Sequence, residues 1–338
     1  MTTVRSFISN SDSRKPTGHW PRTWALAAGI VFLLLGTWEL FWRSRGWTTM
    51  VVADREAWVL ARLSVRPTST VLLGTSRTGA ALDPEVWAVE LGSERPVMLA
   101  VEGVSALPVL ADLAADTSFR GRVVAEMMPT ETFAPGELVG PYVAAAREAR
   151  TSPAKRWEAA LRIAGSSHLV FRRPELQVNR LIRNALQGVP LRPVHYRLRK
   201  DLFRPIDFAI DHRAPNQPAV LDTLTFGYIR RWGTPLRGAG LDRRIASIAR
   251  DVQRIQQRGG VVSFLLLSGC GGRKAMEEIL YPKPLYWNRL AEIPGVRLID
   301  ADSYPEIAGL PCYDGSHIDM HDAPVVTRRV ARVVGGTP

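Results

Sequence analysis

Only two cysteines, Cys270 and Cys312, occur in 338 residues. That excludes a disulfide scaffold and leaves room for at most one bridge. Glycine (27) and proline (24) are too few for a disordered or fibrous chain. No internal repeat or low-complexity tract is visible, so solenoid architectures are excluded as well. Acidic residues are outnumbered, 32 against 44 basic, for a net charge of +12. The excess is nearly all arginine and is spread along the chain rather than gathered in a tail. Nucleic acid is therefore not the expected partner, whereas an anionic membrane surface or an acidic polymer fits. What is present is apolar: 46% of residues are hydrophobic and 22% charged, enough to bury a substantial core. The length suits one large domain or two ordinary ones.

The first 23 residues are polar and carry Arg5, Arg14, Lys15 and Arg22. From Trp24 to Trp42 the only charge is Glu39. Nineteen residues at about 1.5 Å each span roughly 28 Å, the hydrocarbon thickness of a bilayer. Trp24, Trp38 and Trp42 stand where interfacial aromatics belong, and Arg43 and Arg45 close the run. A signal peptidase requires small residues after the apolar run, but Leu40-Phe41-Trp42-Arg43 stands there. The expectation is a cytoplasmic tail (1–23), an uncleaved transmembrane anchor (24–42) contacting membrane lipid, a helical linker (43–69), and a main domain (70–335) outside the cytoplasm.

The main domain alternates strands and helices. Strands are expected at Val71–Leu73, Pro96–Val101, Arg122–Met128, Val261–Leu267 and Val296–Asp300. Helices are expected at Pro84–Leu91, Leu107–Ala115, Leu241–Arg258 and Ala323–Val334, with a short one at Tyr286–Ala291. Asp83-Pro84 reads as an N-cap followed by proline at the first helical position. Gly259-Gly260 reads as a helix stop. This alternation indicates βαβ units and a five-stranded parallel sheet. Residues 135–211 break the pattern with three arginine-rich helical stretches and the basic segment Arg192–Arg204. They read as a helical insertion over the sheet.

Val71-Leu72-Leu73-Gly74-Thr75-Ser76 is a buried strand that stops at a turn bearing hydroxyls. In open α/β sheets the carboxyl edge is where ligands bind. A serine nucleophile there needs a base and oxyanion donors. Of six histidines, His317 has the telling context, Asp314-Gly315-Ser316-His317 between the fifth strand and the last helix. A carboxylate three residues before an imidazole can hold one ring nitrogen and leave the other basic. His19 precedes the anchor, and His168, His195 and His212 lie in the insertion without such company. Asp319, His321 and Asp322 add groups a metal could use, but no distant ligand completes a set. No metal or cofactor is expected.

Gly74-Thr75-Ser76 after a strand, a glycine (Gly103) after the second, and Asp314-x-x-His317 before the last helix together resemble the SGNH (GDSL-type) hydrolase family. The resemblance covers about residues 70–335. It is closest to membrane-anchored members similar to the alginate and lipoteichoic-acid acyl-transfer proteins. It implies a flavodoxin-like three-layer sandwich with Ser76 as nucleophile, His317 as base and Asp314 as its orienter. The N–H groups of Ser76 and Gly103 would form the oxyanion hole. It also implies an acylated cell-envelope carbohydrate or lipid-linked glycan as substrate, and a membrane acyl-transfer partner. The family's third block carries an Asn that donates to the oxyanion. Here that place reads Glu126-Met127-Met128-Pro129-Thr130-Glu131. Thr130, Arg77 or a main-chain amide are the candidate substitutes. A non-catalytic carbohydrate-binding or scaffold protein is the competing expectation, and a basic membrane-surface adaptor is a second. Cys270 follows the fourth strand and Cys312 lies two residues before Asp314. Neighbouring strands would bring their loops together, so a bridge bracing the loop and two free thiols both stay open.

Overall fold

The computed structural model describes residues 20–51, 54–135, 140–189, 191, 198–211, 227 and 234–336. The chain divides into two compact units, Met1–Thr48 and Thr49–Pro338.

In the first unit, helix α1 runs from Trp20 to Ser44. It starts four residues before the expected span, and residues 1–19 of the polar tail lie outside the described residues. Its 18-residue apolar window has a mean hydropathy of 1.8 and no residue buried within the protein. The helix is long and apolar enough to span a membrane. Its one acid, Glu39, is bonded by Arg43 at 2.7 Å.

The second unit begins with α2 (Asp54–Ser64), then β1 (Thr70–Leu73), α3 (Ser76–Ala81), α4 (Pro84–Leu91), β2 (Val97–Met98), α5 (Leu107–Ala115) and β3 (Arg122–Glu126). α6 (Pro129–Thr132) comes next, and the insertion follows, with α7 (Pro141–Thr151), α8 (Pro153–His168) and α9 (Val178–Leu186). The alternation resumes with α10 (Ala239–Gln256), β4 (Val261–Leu266), α11 (Gly271–Leu280), β5 (Arg297–Asp300), α12 (Pro305–Ala308) and α13 (Ala323–Gly335).

The five strands form one all-parallel sheet in the order β2-β1-β3-β4-β5. Its inner strands are aliphatic runs, as a sheet covered on both faces requires. Val71, Leu72 and Leu73 of β1 and Val123, Val124 and Ala125 of β3 are fully buried. The chain steps outward from β1 to β2, then crosses to β3 on the other side of β1. The switch point between the carboxyl ends of β1 and β3 is where such sheets hold their ligands.

Helix ends follow local chemistry. The Asp83 carboxylate accepts from Glu85 N–H at 2.8 Å ahead of Pro84, and Gly92 closes α4 at φ 57°.

Several expectations shift. The Asp54–Ser64 part of the expected linker is built into the main unit. Trp58 is buried and its Nε1 donates to Leu99 O at 3.1 Å. Arg62, 1% exposed, pairs with Asp112 at 2.8 Å and Asp116 at 3.2 Å. β2 is two residues long rather than six. Leu99 and Val101 still donate to Leu72 O and Gly74 O, at 2.8 and 2.9 Å. The short helix expected at Tyr286–Ala291 is a 3-10 turn at Asn288–Glu292. α3 and α11 were not anticipated, because each starts directly at a glycine-bearing turn after a strand. In the basic segment, residues 192–197 lie outside the described residues, as do His195 and His212.

Candidate active site

β1 ends at Leu73, and the turn Gly74-Thr75 delivers Ser76 as the first residue of α3. The turn needs glycine. A Cβ on Gly74 would stand 2.0 Å from Thr78 Oγ1 and 2.7 Å from Glu126 Oε2. Those two groups explain the crowding. Glu126, the last residue of β3 and 1% exposed, turns its Oε2 toward the Gly74–Ser76 turn. It accepts from Thr75 N–H at 2.9 Å, Thr75 Oγ1 at 3.0 Å, Thr78 N–H at 3.3 Å and Thr78 Oγ1 at 2.6 Å. Thr75 Oγ1 in turn accepts from Arg77 N–H at 3.2 Å. The amides of Thr75, Arg77 and Thr78 are thereby occupied. For Ser76 N–H no acceptor is found among the described residues. A spare donor at a helix N-terminus, beside the serine's own hydroxyl, suits a developing anion.

From 241 residues away, His317 reaches Ser76, with Nε2 2.8 Å from Oγ. Its Nδ1 lies 2.7 Å from Asp314 Oδ2. The other oxygen, Oδ1, accepts from Ser316 N–H at 2.9 Å and His317 N–H at 2.8 Å. The carboxylate thus shapes its own loop while it holds the ring. Burial opposes its ionisation. The hydrogen bond and charge of His317, with the two amides, outweigh that and hold Asp314 well below the usual carboxylate range.

Cys270 and Cys312 are joined in a disulfide, with Cα atoms 5.8 Å apart. Cys270 N–H donates to Gly315 O at 2.9 Å and Gly315 N–H to Cys312 O at 3.2 Å. The Asp314–His317 loop is thus fastened to the start of α11 on both sides of its turn.

Arg77 and Thr130, the side chains expected as oxyanion donors, are engaged by other partners. Arg77 is 2% exposed. Its guanidinium binds Glu277 Oε1 and Oε2 at 2.5 and 3.1 Å, Leu267 O at 2.7 Å and Ser316 Oγ at 3.1 Å. Burial opposes its charge, but Glu277 raises it above its ordinary value, and Arg77 in turn holds Glu277 below the usual range despite burial. Arg77 is a strut between the serine helix, α11 and the histidine loop. Thr130 is fully buried, and its hydroxyl donates to Glu131. Burial pushes the Glu131 carboxyl up. Gly103 has φ 63°, and no acceptor is found for its N–H among the described residues.

Ser76 opens into a cavity of about 240 Å³ whose walls include Trp58, Tyr142, Leu198, Leu202, Glu102 and Arg204. The insertion supplies one side of it. Arg204 is anchored by its N–H to Gly79 O at 2.7 Å, and its Nη1 meets Glu102 Oε2 at 2.7 Å. The cation facing the serine cavity is therefore Arg204 rather than Arg77. Leu202 holds φ 65°, the one positive-φ residue other than glycine among the described residues. Strain of this kind collects at functional sites. A larger cavity of about 340 Å³ is lined by Lys274, Asp302 and Ser316 but not by Ser76, so size does not choose the site.

Sequence reasoning missed Glu126, Glu277, Arg204 and Trp58. Only Glu126 left a trace, as a lone acid closing an aliphatic strand. Compared with protein-family models and with curated proteins, the chain matches none.

Proposed function

We propose that this protein is a membrane-anchored serine esterase or O-acyltransferase of the SGNH type. The observation that carries the reading is the unbroken relay Ser76 Oγ–His317 Nε2 (2.8 Å), His317 Nδ1–Asp314 Oδ2 (2.7 Å), with Ser76 on the wall of a cavity. Three residue types in the right order of contact are recognised by geometry and role rather than by chain position.

In the mechanism, His317 Nε2 takes the Ser76 proton as Oγ attacks an ester carbonyl. The oxyanion forms against the N–H groups of Ser76 and Gly103. Asp314 stabilises the imidazolium and keeps the correct tautomer. Collapse expels the alcohol, which takes its proton from His317, and leaves an acyl-Ser76. Water or a sugar hydroxyl, deprotonated by His317, then attacks the acyl carbon and restores the serine.

The strand order, with α4 packed on α13 and α5 on α10, supports a flavodoxin-like three-layer sandwich. α1 supports a single-pass anchor, and the basic residues ahead of it favour a main unit outside the cytoplasm. The anchor and the family resemblance together favour an acylated cell-envelope carbohydrate or lipid-linked glycan as substrate, supplied by a membrane acyl-transfer partner. Nucleic acid is not proposed as a partner.

The test is covalent labelling with a fluorophosphonate. Wild-type protein should be modified at Ser76, and Ser76→Ala and His317→Ala should be spared. A folded wild type that resists labelling under every condition would overturn the catalytic reading in favour of a carbohydrate-binding scaffold.

A further inference from the structure

Helix α9 (Val178–Leu186) contains no buried residue. Yet its sequence is sharply two-sided. At 100° per residue, Val178, Leu181, Ile182, Ala185 and Leu186 fall on one arc, and Asn179, Arg180, Arg183 and Asn184 on the other. The apolar arc faces outward: Val178 is 62%, Ile182 56% and Leu186 83% exposed. A nine-residue helix is marginal in water by itself, so an apolar stripe left open signals something that covers it. The insertion shows a second exposed apolar pair on α8, where Trp157 and Leu161, one turn apart, are 70% and 68% exposed among Lys155, Arg156 and Glu158.

The charge along this stretch of chain has one sign. From Gln177 to Val189 the chain has Arg180 and Arg183 and no acid. The nearest acid in sequence, Glu175, is buried and paired with Arg173 at 2.6 Å. A protein–protein rim usually mixes both signs. An acidic glycan would match the arginines but has no apolar phase to take valine, isoleucine and leucine. A bilayer with anionic headgroups offers both layers in the right order. The chain also carries its own candidate span, α1, so a bilayer is a surface the full chain meets.

We propose that α9 docks flat on an anionic lipid surface, with Val178, Ile182 and Leu186 at the headgroup–acyl boundary and Arg180 and Arg183 among the lipid phosphates. The proposal rests on the reading of α1 as an anchor, and it is independent of catalysis.

The full chain is incorporated into nanodiscs of phosphatidylcholine alone or with about 30 mol% phosphatidylglycerol, and amide hydrogen exchange is followed by peptide mass spectrometry. Exchange across 178–186 should slow by about tenfold or more in the anionic discs. Ile182→Asp with Leu186→Asp should abolish that protection, and Arg180→Glu with Arg183→Glu should erase the dependence on lipid charge. Peptides covering β4 should be unchanged in both variants, which separates lost docking from lost folding. Equal exchange in both discs overturns the proposal, as does protection that scales with protein concentration, the mark of self-association. Failure of the chain to enter discs defeats the anchor instead. The same exchange measurement on the full chain with preformed anionic vesicles then decides α9.

Discussion

Glu126 holds Thr75 twice, accepting its amide at 2.9 Å and its hydroxyl at 3.0 Å. The contact ties the carboxyl end of the third strand to the turn that presents Ser76. Glu126 serves the turn rather than the cavity, whose walls do not include it.

Replacing Glu126 by alanine strands two buried amides and two hydroxyls. With each unsatisfied group costing about 1–3 kcal/mol and some relaxation, Glu126→Ala should lose about 3–5 kcal/mol in urea unfolding. Glu126→Gln keeps one acceptor oxygen and should lose less. A stability within about 1 kcal/mol of wild type for the alanine variant would show that the turn holds without it.

Asp314→Asn keeps an oxygen for the Ser316 and His317 amides but no longer fixes the imidazole tautomer. Its melting temperature should therefore stay near wild type, while the rate of Ser76 labelling falls by about 10³–10⁴-fold. An unaltered rate would remove Asp314 from the relay.

The disulfide closes a 42-residue separation. Chain entropy puts its contribution at about 4 kcal/mol. Cys270→Ser with Cys312→Ser should lower the melting temperature and, because Gly315 is bonded to Cys270, slow Ser76 labelling. Alkylation of the unreduced, denatured protein should find no free thiol; two would refute the bridge.

The Arg77–Glu277 pair sets an acid limit. Glu277 titrates below its unfolded value of about 4.3, so its contribution is complete above that pH and fades as pH falls through the lower folded value. Asp314 is depressed too and acts with the same sign. Stability should drop on acidification below about pH 5. Glu277→Gln should flatten that limb and, by leaving Arg77 buried without its counter-charge, cost about 3–5 kcal/mol at neutral pH. Parallel acid limbs in the two proteins would assign the loss elsewhere.

What the sequence determined alone was whatever local chemistry decides. Leu107–Ala115 appears with the expected ends, and Asp83-Pro84 starts a helix because a carboxylate cap and a fixed proline φ act within three residues. Four of the five strands were legible as aliphatic runs, with ends shifted by one or two residues, because a doubly covered sheet needs such runs wherever it lies. The Asp314–His317 contact was legible as well, since three residues separate its partners; that His317 meets Ser76, 241 residues away, is decided by the fold. The fate of Arg77 was not legible either. A basic residue beside a nucleophile reads as a substrate ligand, and only the fold brings Glu277, 200 residues on, to claim it. Thr130 likewise gives its proton to a neighbour whose burial no local pattern reveals. Glu126 acts 51 residues from Thr75, across adjacent parallel strands. Those assignments belong to tertiary structure because burial makes a charged or polar group take whichever partner the packing delivers. The exposed stripe of α9 is the converse case: its two faces are written in nine residues, but the exposure of Val178, Ile182 and Leu186 is known only from the packed chain.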